Sequence, residues 1–360
     1  MVYDVGIVGA GPAGTAAAIL LAKAGLTVCL LDKISEKTHK IGESLPAATI
    51  RLLKRLDIAS LSDLLSENDY STCSGNLSAW GSDVWTLQSG IHNPEGGGWH
   101  INRVAFECAL RRQALDLGVV YLDLAVGKVS KTASDDFKIH PEGGEPIQTR
   151  WIVDATGRDF AIARQFGVKR QQFDAQLALF TWLTAPKSTL DTMTRIKSVS
   201  EGWWYSACLP SGERVLSLHG LPEMIAPLKK NPDTFWTACN EAQILPFTVL
   251  PEYGQTGLYV RAASFGRSEK YGDIGWLAVG DAAISFDPLS SQGIFFALYS
   301  GIRAAEAILI SVHQPENALK ALASYTQTVQ NVFNANRQAR IHYYQSEYRF
   351  GQSAYWTNQR

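Results

Sequence analysis

The strongest constraint on this chain lies in its first thirty-three residues. Val2 to Val8 is a short apolar run rich in valine and isoleucine, the pattern of a strand covered on both faces. Gly9-Ala10-Gly11-Pro12-Ala13-Gly14 follows, and the Ala- and Leu-rich stretch from Thr15 to Ala24 predicts a helix. A second apolar run, Leu26 to Leu31, ends at Asp32 with Lys33 beside it. Strand, glycine turn, helix and strand make a βαβ unit with G-x-G-x-x-G at its turn. Each glycine has a task there: Gly9 for the tight turn, Gly11 for backbone approach to a pyrophosphate, Gly14 for close packing of helix on strand. Pro12 and Ala13 open the helix, whose free N–H groups and positive dipole end face the phosphates. Asp32 stands where an acidic side chain accepts hydrogen bonds from an adenosine ribose. The motif predicts a dinucleotide site without separating FAD from NAD.

Four later segments narrow the choice. Ile41-Gly42-Glu43-Ser44-Leu45-Pro46 follows the second strand, and Trp99-His100-Ile101-Asn102-Arg103 opens a helix. Asp154-Ala155-Thr156-Gly157 ends the strand Trp151 to Val153. Gly280-Asp281-Ala282-Ala283 follows the run Ile274 to Val279 and leads into Phe286-Asp287-Pro288-Leu289-Ser290-Ser291-Gln292-Gly293 and an apolar helix from about Ile294 to Ser311. In this order the segments resemble the para-hydroxybenzoate-hydroxylase-like flavoproteins, a superfamily of aromatic monooxygenases, geranylgeranyl reductases and flavin-dependent halogenases. The resemblance runs from Val2 to about Ser311 and implies non-covalently bound FAD. It carries cofactor contacts onto Glu43, Ser44, Arg103, Ala155, Thr156, Gly157, Gly280, Asp281, Pro288, Gln292, Gly293 and Ile294.

The implied architecture is α/β: a Rossmann-like FAD-binding domain with an inserted β-sheet substrate domain and a C-terminal helix. The expected boundaries are 1–165 with 270–312 for the discontinuous FAD domain and 166–269 for the insert. The closing helix is expected over 313–345, and a poorly ordered tail over 346–360. Alternating or continuous apolar runs at Ala175–Leu183, Trp203–Leu209, Arg214–Leu221 and Tyr259–Phe265 predict the strands of the insert, with a helix at Asp233–Ala242. Apolar residues make up 46% of the chain, enough for a large core. Basic and acidic side chains number 33 and 34, so there is no basic surplus of the kind that nucleic-acid binding requires. Five cysteines without a C-x-x-C spacing read as small buried apolar residues of a reducing compartment. No leader precedes the first strand and no apolar run is expected to reach membrane-spanning length, so the expected location is cytoplasmic, without an integral membrane segment.

The chemistry is argued from fewer residues. Gly202-Trp203-Trp204-Tyr205-Ser206-Ala207-Cys208-Leu209-Pro210 is similar to the tryptophan-rich strand of the flavin-dependent halogenases, and Phe286-x-Pro288-x-x-Ser291-x-Gly293 matches a pattern associated with them. Those enzymes use a lysine some thirty residues beyond the segment matching Gly42-Glu43-Ser44. Here no lysine occurs between Lys54 and Lys128, and Ser74 to Trp80 takes that place. Halogenase chains are also considerably longer.

A narrower resemblance is to the LodB/GoxB-type flavoproteins of cysteine tryptophylquinone biogenesis. It implies oxygenation of a protein-bound tryptophan, the partner being a precursor quinoprotein oxidase met in a transient complex. The alternatives are a small-molecule aromatic hydroxylase and a geranylgeranyl-reductase-like enzyme. Trp203, Trp204, Tyr205 and Ser290 are the expected substrate pocket, and His100 and His219 are candidates for proton transfer. No second G-x-G-x-x-G is present, and Asp154-Ala155-Thr156-Gly157 departs from the Asp-Gly motif that many hydroxylases share between FAD and NAD(P)H, which leaves the electron donor open.

Overall fold

A computed structural model describes residues 2–33, 39–90, 95–133, 136–184, 186, 191–250 and 257–359. Its first layer is a twisted sheet with five parallel strands in the order Trp276–Ala278, Ile147–Asp154, Val2–Val8, Val28–Asp32 and Val120–Asp123. Val8 lies opposite both Leu31 and Asp154, and Asp154 opposite Ala278, so the strands end in register. The Gly9 turn, Asp32, Ala155 and Gly280 therefore leave the sheet along one carboxyl edge, where open α/β sheets bind ligands.

Two helices, Pro12–Lys23 and Gly293–His313, cross closely behind that edge. A Cβ on Gly301 would stand 2.2 Å from the carbonyl oxygen of Ala13, so the approach depends on a bare backbone. Helix Gly293–His313 corrects the expectation about apolar runs. It is long and apolar enough to cross a membrane, and the only such helix among the described residues. Its Ile294, Phe296, Leu298, Ile302 and Ile308 are buried in the main core. Here an apolar face on many sides reflects burial between helices and sheet.

The second layer is a seven-stranded sheet in the order Tyr259–Ala262, Leu177–Thr184, Glu213–Gly220, Gly202–Cys208, Met193–Val199, Gly75–Ala79 and Thr86–Ser89. Its last two strands come from the first segment of the chain, outside the range 166–269 expected for the insert. Gly75–Ala79 pairs parallel with Met193–Val199, a contact between distant segments that leaves no local trace in either. Strand Tyr259–Ala262 is shorter than the run to Phe265 suggested. One face of the sheet, with Leu179, Trp204, Leu216 and Leu218, packs on Ile225, Phe235 and Cys239 of helices Pro222–Lys230 and Pro232–Ala242. The other face turns toward the carboxyl edge of the first layer.

The C-terminal segment differs from expectation at its end. Helix Ala318–Gln345 braces the core through Tyr325, Val329 and Phe333. The residues after it do not trail away: they form helix Ala354–Gln359, with Tyr355 and Trp356 buried beside Trp203, Leu221 and Tyr344. Trp356 Nε1 donates to the Val199 carbonyl at 2.8 Å, and the Tyr355 hydroxyl donates to Gln176. The polar composition hid two aromatic anchors whose donors find partners inside. Cys29, Cys73, Cys208 and Cys239 are buried and unbridged as expected, whereas Cys108 is exposed on helix Arg103–Asp116.

Candidate functional site

A cavity of about 480 Å³ opens between the carboxyl edge of the first sheet and the inward face of the second. That volume lies in the range of small-molecule and cofactor sites. Gly9, Gly11, Pro12, Ala13 and Asp32 line it from the glycine turn, Ala155, Thr156 and Gly157 from the next strand end, and Gly280 and Asp281 from the third. Pro288, Gln292, Gly293 and Ile294 close that side at the start of the long helix, and Glu43, Ser44 and Arg103 come from the loop after Asp32 and the helix it meets.

The glycines fall into two kinds. At Gly9 (φ +107°) a Cβ would stand 2.2 Å from the Ala155 oxygen, and at Gly14 it would stand 1.9 Å from the Gly9 oxygen. The protein's own packing excludes a side chain at both. At Gly11 and Gly293 a Cβ would meet nothing within 4 Å, yet both line the cavity. Backbone left bare where no protein atom requires it is the cradle expected for a diphosphate and a flat ring lying against main-chain N–H groups. The residues present thus fit FAD. Asp32 is held ready by the turn, its Oδ2 accepting from the Ala10 N–H at 2.9 Å.

Charged groups brace the ends of this wall. Arg103 donates through Nη1 to the Gly42 carbonyl at 3.1 Å and pairs with Glu107 at 2.7 Å, while Lys40 reaches the same carboxylate at 2.5 Å. Burial opposes charge on Glu107, but the two cations overcome it and hold its pKa below the usual range. Glu43 is buried, takes the Gly42 N–H at 3.1 Å on one oxygen and accepts the Tyr205 hydroxyl on the other. Burial and that carboxylate push the Tyr205 phenol well above its ordinary pKa, so it remains a neutral donor. Arg158 spans the two layers, donating to the carbonyls of Ser264 (2.6 Å) and Phe286 (3.1 Å) with its Nε 3.3 Å from Asp281.

The opposite wall is the sheet face. Trp203 and His219 are directly paired across strands and stack flat, with ring centres 3.8 Å apart and planes 3° apart. His219 Nε2 shares a hydrogen bond with Ser217 Oγ at 3.0 Å. Burial, helped by Arg158, drops the His219 pKa to about 3, so its ring is neutral at ordinary pH. Beneath the cavity Asp287 and Asp174 share Arg340, at 3.0 and 2.9 Å, and Tyr344 donates to Asp287 at 2.8 Å while receiving the Trp203 indole N–H at 3.1 Å.

Five of the sequence-derived site residues stand apart from the cavity. Gly14 packs behind the turn, and Lys33 is exposed. Ser290 turns back to donate to the Asp287 carbonyl at 2.9 Å. Trp204 lies on the far face of the sheet against Phe235, because alternate residues of a strand face opposite ways. His100 is buried away from the cavity, bonded to Thr194 Oγ1 at 2.9 Å, and so is not placed for proton transfer there. Conversely Lys40, Arg158, Ser217, Arg261 and Asp287 line the cavity although no motif assigns them a contact there. Arg158 and Asp287 sit next to or inside quoted motifs. Ser217 and Arg261 come from strands whose inward parity only the pairing reveals.

Residues 2–69 match the family model of the FAD binding domain. The chain is an FAD-dependent oxidoreductase. This oxidoreductase is 26% identical to LodB of Marinomonas mediterranea, whose name describes an FAD-dependent oxidoreductase, over 98% of this chain and 96% of that one. It is also 26% identical to a 1H-pyrrole-2-carbonyl-[peptidyl-carrier protein] brominase of Pseudoalteromonas luteoviolacea, over 85% of this chain and 77% of the brominase. Among solved structures, the flavin-dependent halogenase CmlS superposes with a TM-score of 0.87 at 22% identity, covering all of this chain and 68% of CmlS. QhpG, a peptidyl tryptophan dihydroxylase essential for tryptophylquinone cofactor biogenesis, superposes with a TM-score of 0.80 at 20% identity, covering all of this chain and 79% of QhpG. At those identities the two structures speak for the fold alone.

Proposed function

We propose that this flavoprotein is a monooxygenase acting on an aromatic, tryptophan-like ring, and that the ring belongs to a precursor quinoprotein oxidase whose tryptophylquinone cofactor is being made. The observation that carries the reading is the pairing of walls in one cavity: bare-backbone turns fitted to FAD on one side and the Trp203–His219 stack with Tyr205 on the other. Bound FAD supplies the redox step and the activation of oxygen. The chain's own part is to hold the cofactor through the turns and Asp281, to exclude water and to orient an aromatic acceptor. No group of three or more metal-ligating side chains occurs among the described residues, and the reading needs none. The match to LodB over 98% of this chain supports the same reading.

Halogenation is the second reading, favoured by the brominase and halogenase relatives. Against it, no lysine occurs between Lys54 and Lys128, the stretch where the resemblance to the halogenases implies one. A small-molecule aromatic hydroxylase or an isoprenoid reductase would share the same cofactor wall.

Co-expression with a neighbouring oxidase, followed by intact-mass measurement of that oxidase, tests the proposal. Oxygen gained on a tryptophan with the wild type, and absent with Asp281→Ala, is the expected result. Chlorinated or brominated indole formed with halide, or turnover of a free aromatic acid with no change in any partner protein, would replace the reading.

A further inference from the structure

The inward face of the seven-stranded sheet carries a cross-strand row of four residues: Trp203, His219, Ala178 and Arg261. Each stands directly opposite the next, Trp203 against His219, His219 against Ala178 and Ala178 against Arg261. Residues opposed in this way share a face, and neighbouring strands lie about 4.8 Å apart. Trp203 and His219 use that spacing to stack as two parallel plates. The next position holds only the Ala178 methyl. Beyond it the edge strand presents Arg261, exposed at the rim, with a hydrogen bond to the Val260 carbonyl at 3.1 Å and no ion pair among the described residues. All four line the cavity.

The backbones of His219 and Arg261 are thus two strand spacings apart, about 10 Å. A flat ring in van der Waals contact on both faces needs about 7–8 Å between its neighbours. Side chains at either end of the row can close that difference, and a methyl between them does not fill it.

We propose that the row is an aromatic slot: the substrate ring lies over Ala178, stacked on the His219 imidazole on one face and covered by the Arg261 guanidinium on the other. This deepens the reading of a tryptophan-like substrate and rests on it. The chemistry selects electron-rich rings. A guanidinium over a ring face is attracted by the ring's negative quadrupole, most strongly for indole. His219 is uncharged, so stacking brings no second cation against the ring. The slot opens at an edge strand, which suits a side chain presented from another polypeptide.

The test is calorimetric titration of the FAD-loaded protein with 3-methylindole, the side chain of tryptophan, in three forms of the protein. Ala178→Leu puts a side chain where the ring would lie and should weaken binding by more than about tenfold. Arg261→Gln removes the cover at an exposed position where folding is not at stake and should weaken binding about three- to tenfold. FAD stoichiometry unchanged in both variants separates slot from cofactor wall. Equal affinity in all three forms, or no binding of 3-methylindole to the wild type, overturns the slot. Weakened binding in both variants, together with no oxygen gained on any partner oxidase, keeps the slot and removes the tryptophylquinone reading.

Discussion

The two walls of the cavity are shaped by different parts of the chain's chemistry. On the cofactor side, Gly9, Gly11 and Gly14 act by having no side chain, and the turn they form presents main-chain N–H groups from one short stretch. On the sheet side, Trp203, His219, Ala178 and Arg261 act through what their side chains are and are not, and they come from four strands aligned only by register. The strand Gly202–Cys208 shows how much depends on that register. Trp203 and Trp204 are adjacent and both 1% exposed, yet one stacks on His219 at the cavity and the other packs on Phe235 behind the sheet. A slip of one residue would exchange them. A backbone-built wall therefore depends on the absence of side chains at its glycines, whereas a side-chain-built wall depends on how the two layers are joined.

The largest expected effect tests that joint. Arg340 ties Asp174, just before the sheet strand Leu177–Thr184, to Asp287 of the cofactor loop, with both carboxylates almost fully buried. Burial raises the Asp174 pKa against the pull of Arg340. Arg340→Leu leaves two buried carboxylates facing each other and should cost about 3–5 kcal/mol, read from denaturant unfolding. A loss below about 1 kcal/mol would mean the walls are not held together there.

The next test separates the two kinds of glycine. Gly14→Ala places a methyl 1.9 Å from the Gly9 oxygen and should destabilise the fold by about 1–3 kcal/mol even without cofactor. Gly11→Ala meets no protein atom, so the apo protein should melt like the wild type while FAD affinity falls. Equal effects of the two substitutions on apo stability would erase the distinction.

The last test belongs to the sheet wall and is read from pH. His219 has its pKa lowered from 6.5 to about 3 by burial, so below pH 6.5 the unfolded chain binds a proton that the folded chain refuses. Stability should then fall with falling pH by about 1.4 kcal/mol per unit between those values. The difference between wild type and His219→Gln isolates this residue from the buried carboxylates, and a flat difference from pH 6 to pH 4 would show that His219 is not desolvated.

What could be read without the fold was whatever lies close together in the chain. The Gly9–Gly14 turn, Asp32, Ala155–Gly157 and Gly280–Asp281 each sit at the end of an apolar run, so strand, turn and helix alone announce them. Their convergence follows because parallel strands in register bring their carboxyl ends to one edge. Lys33 and Ser290 adjoin such motifs, and an exposed or back-turned side chain is invisible to spacing. Strand Gly75–Ala79 joined the second sheet through pairing with a distant segment, and the tail became helix Ala354–Gln359 because Tyr355 and Trp356 found buried partners. Local sequence determined the FAD-binding turns, since backbone geometry over a few residues is enough to specify them. Which of two adjacent tryptophans faces the cavity, that Arg261 stands in line with His219, and that Arg340 joins the layers were decided by tertiary structure, because strand register and burial depend on residues far apart in the chain.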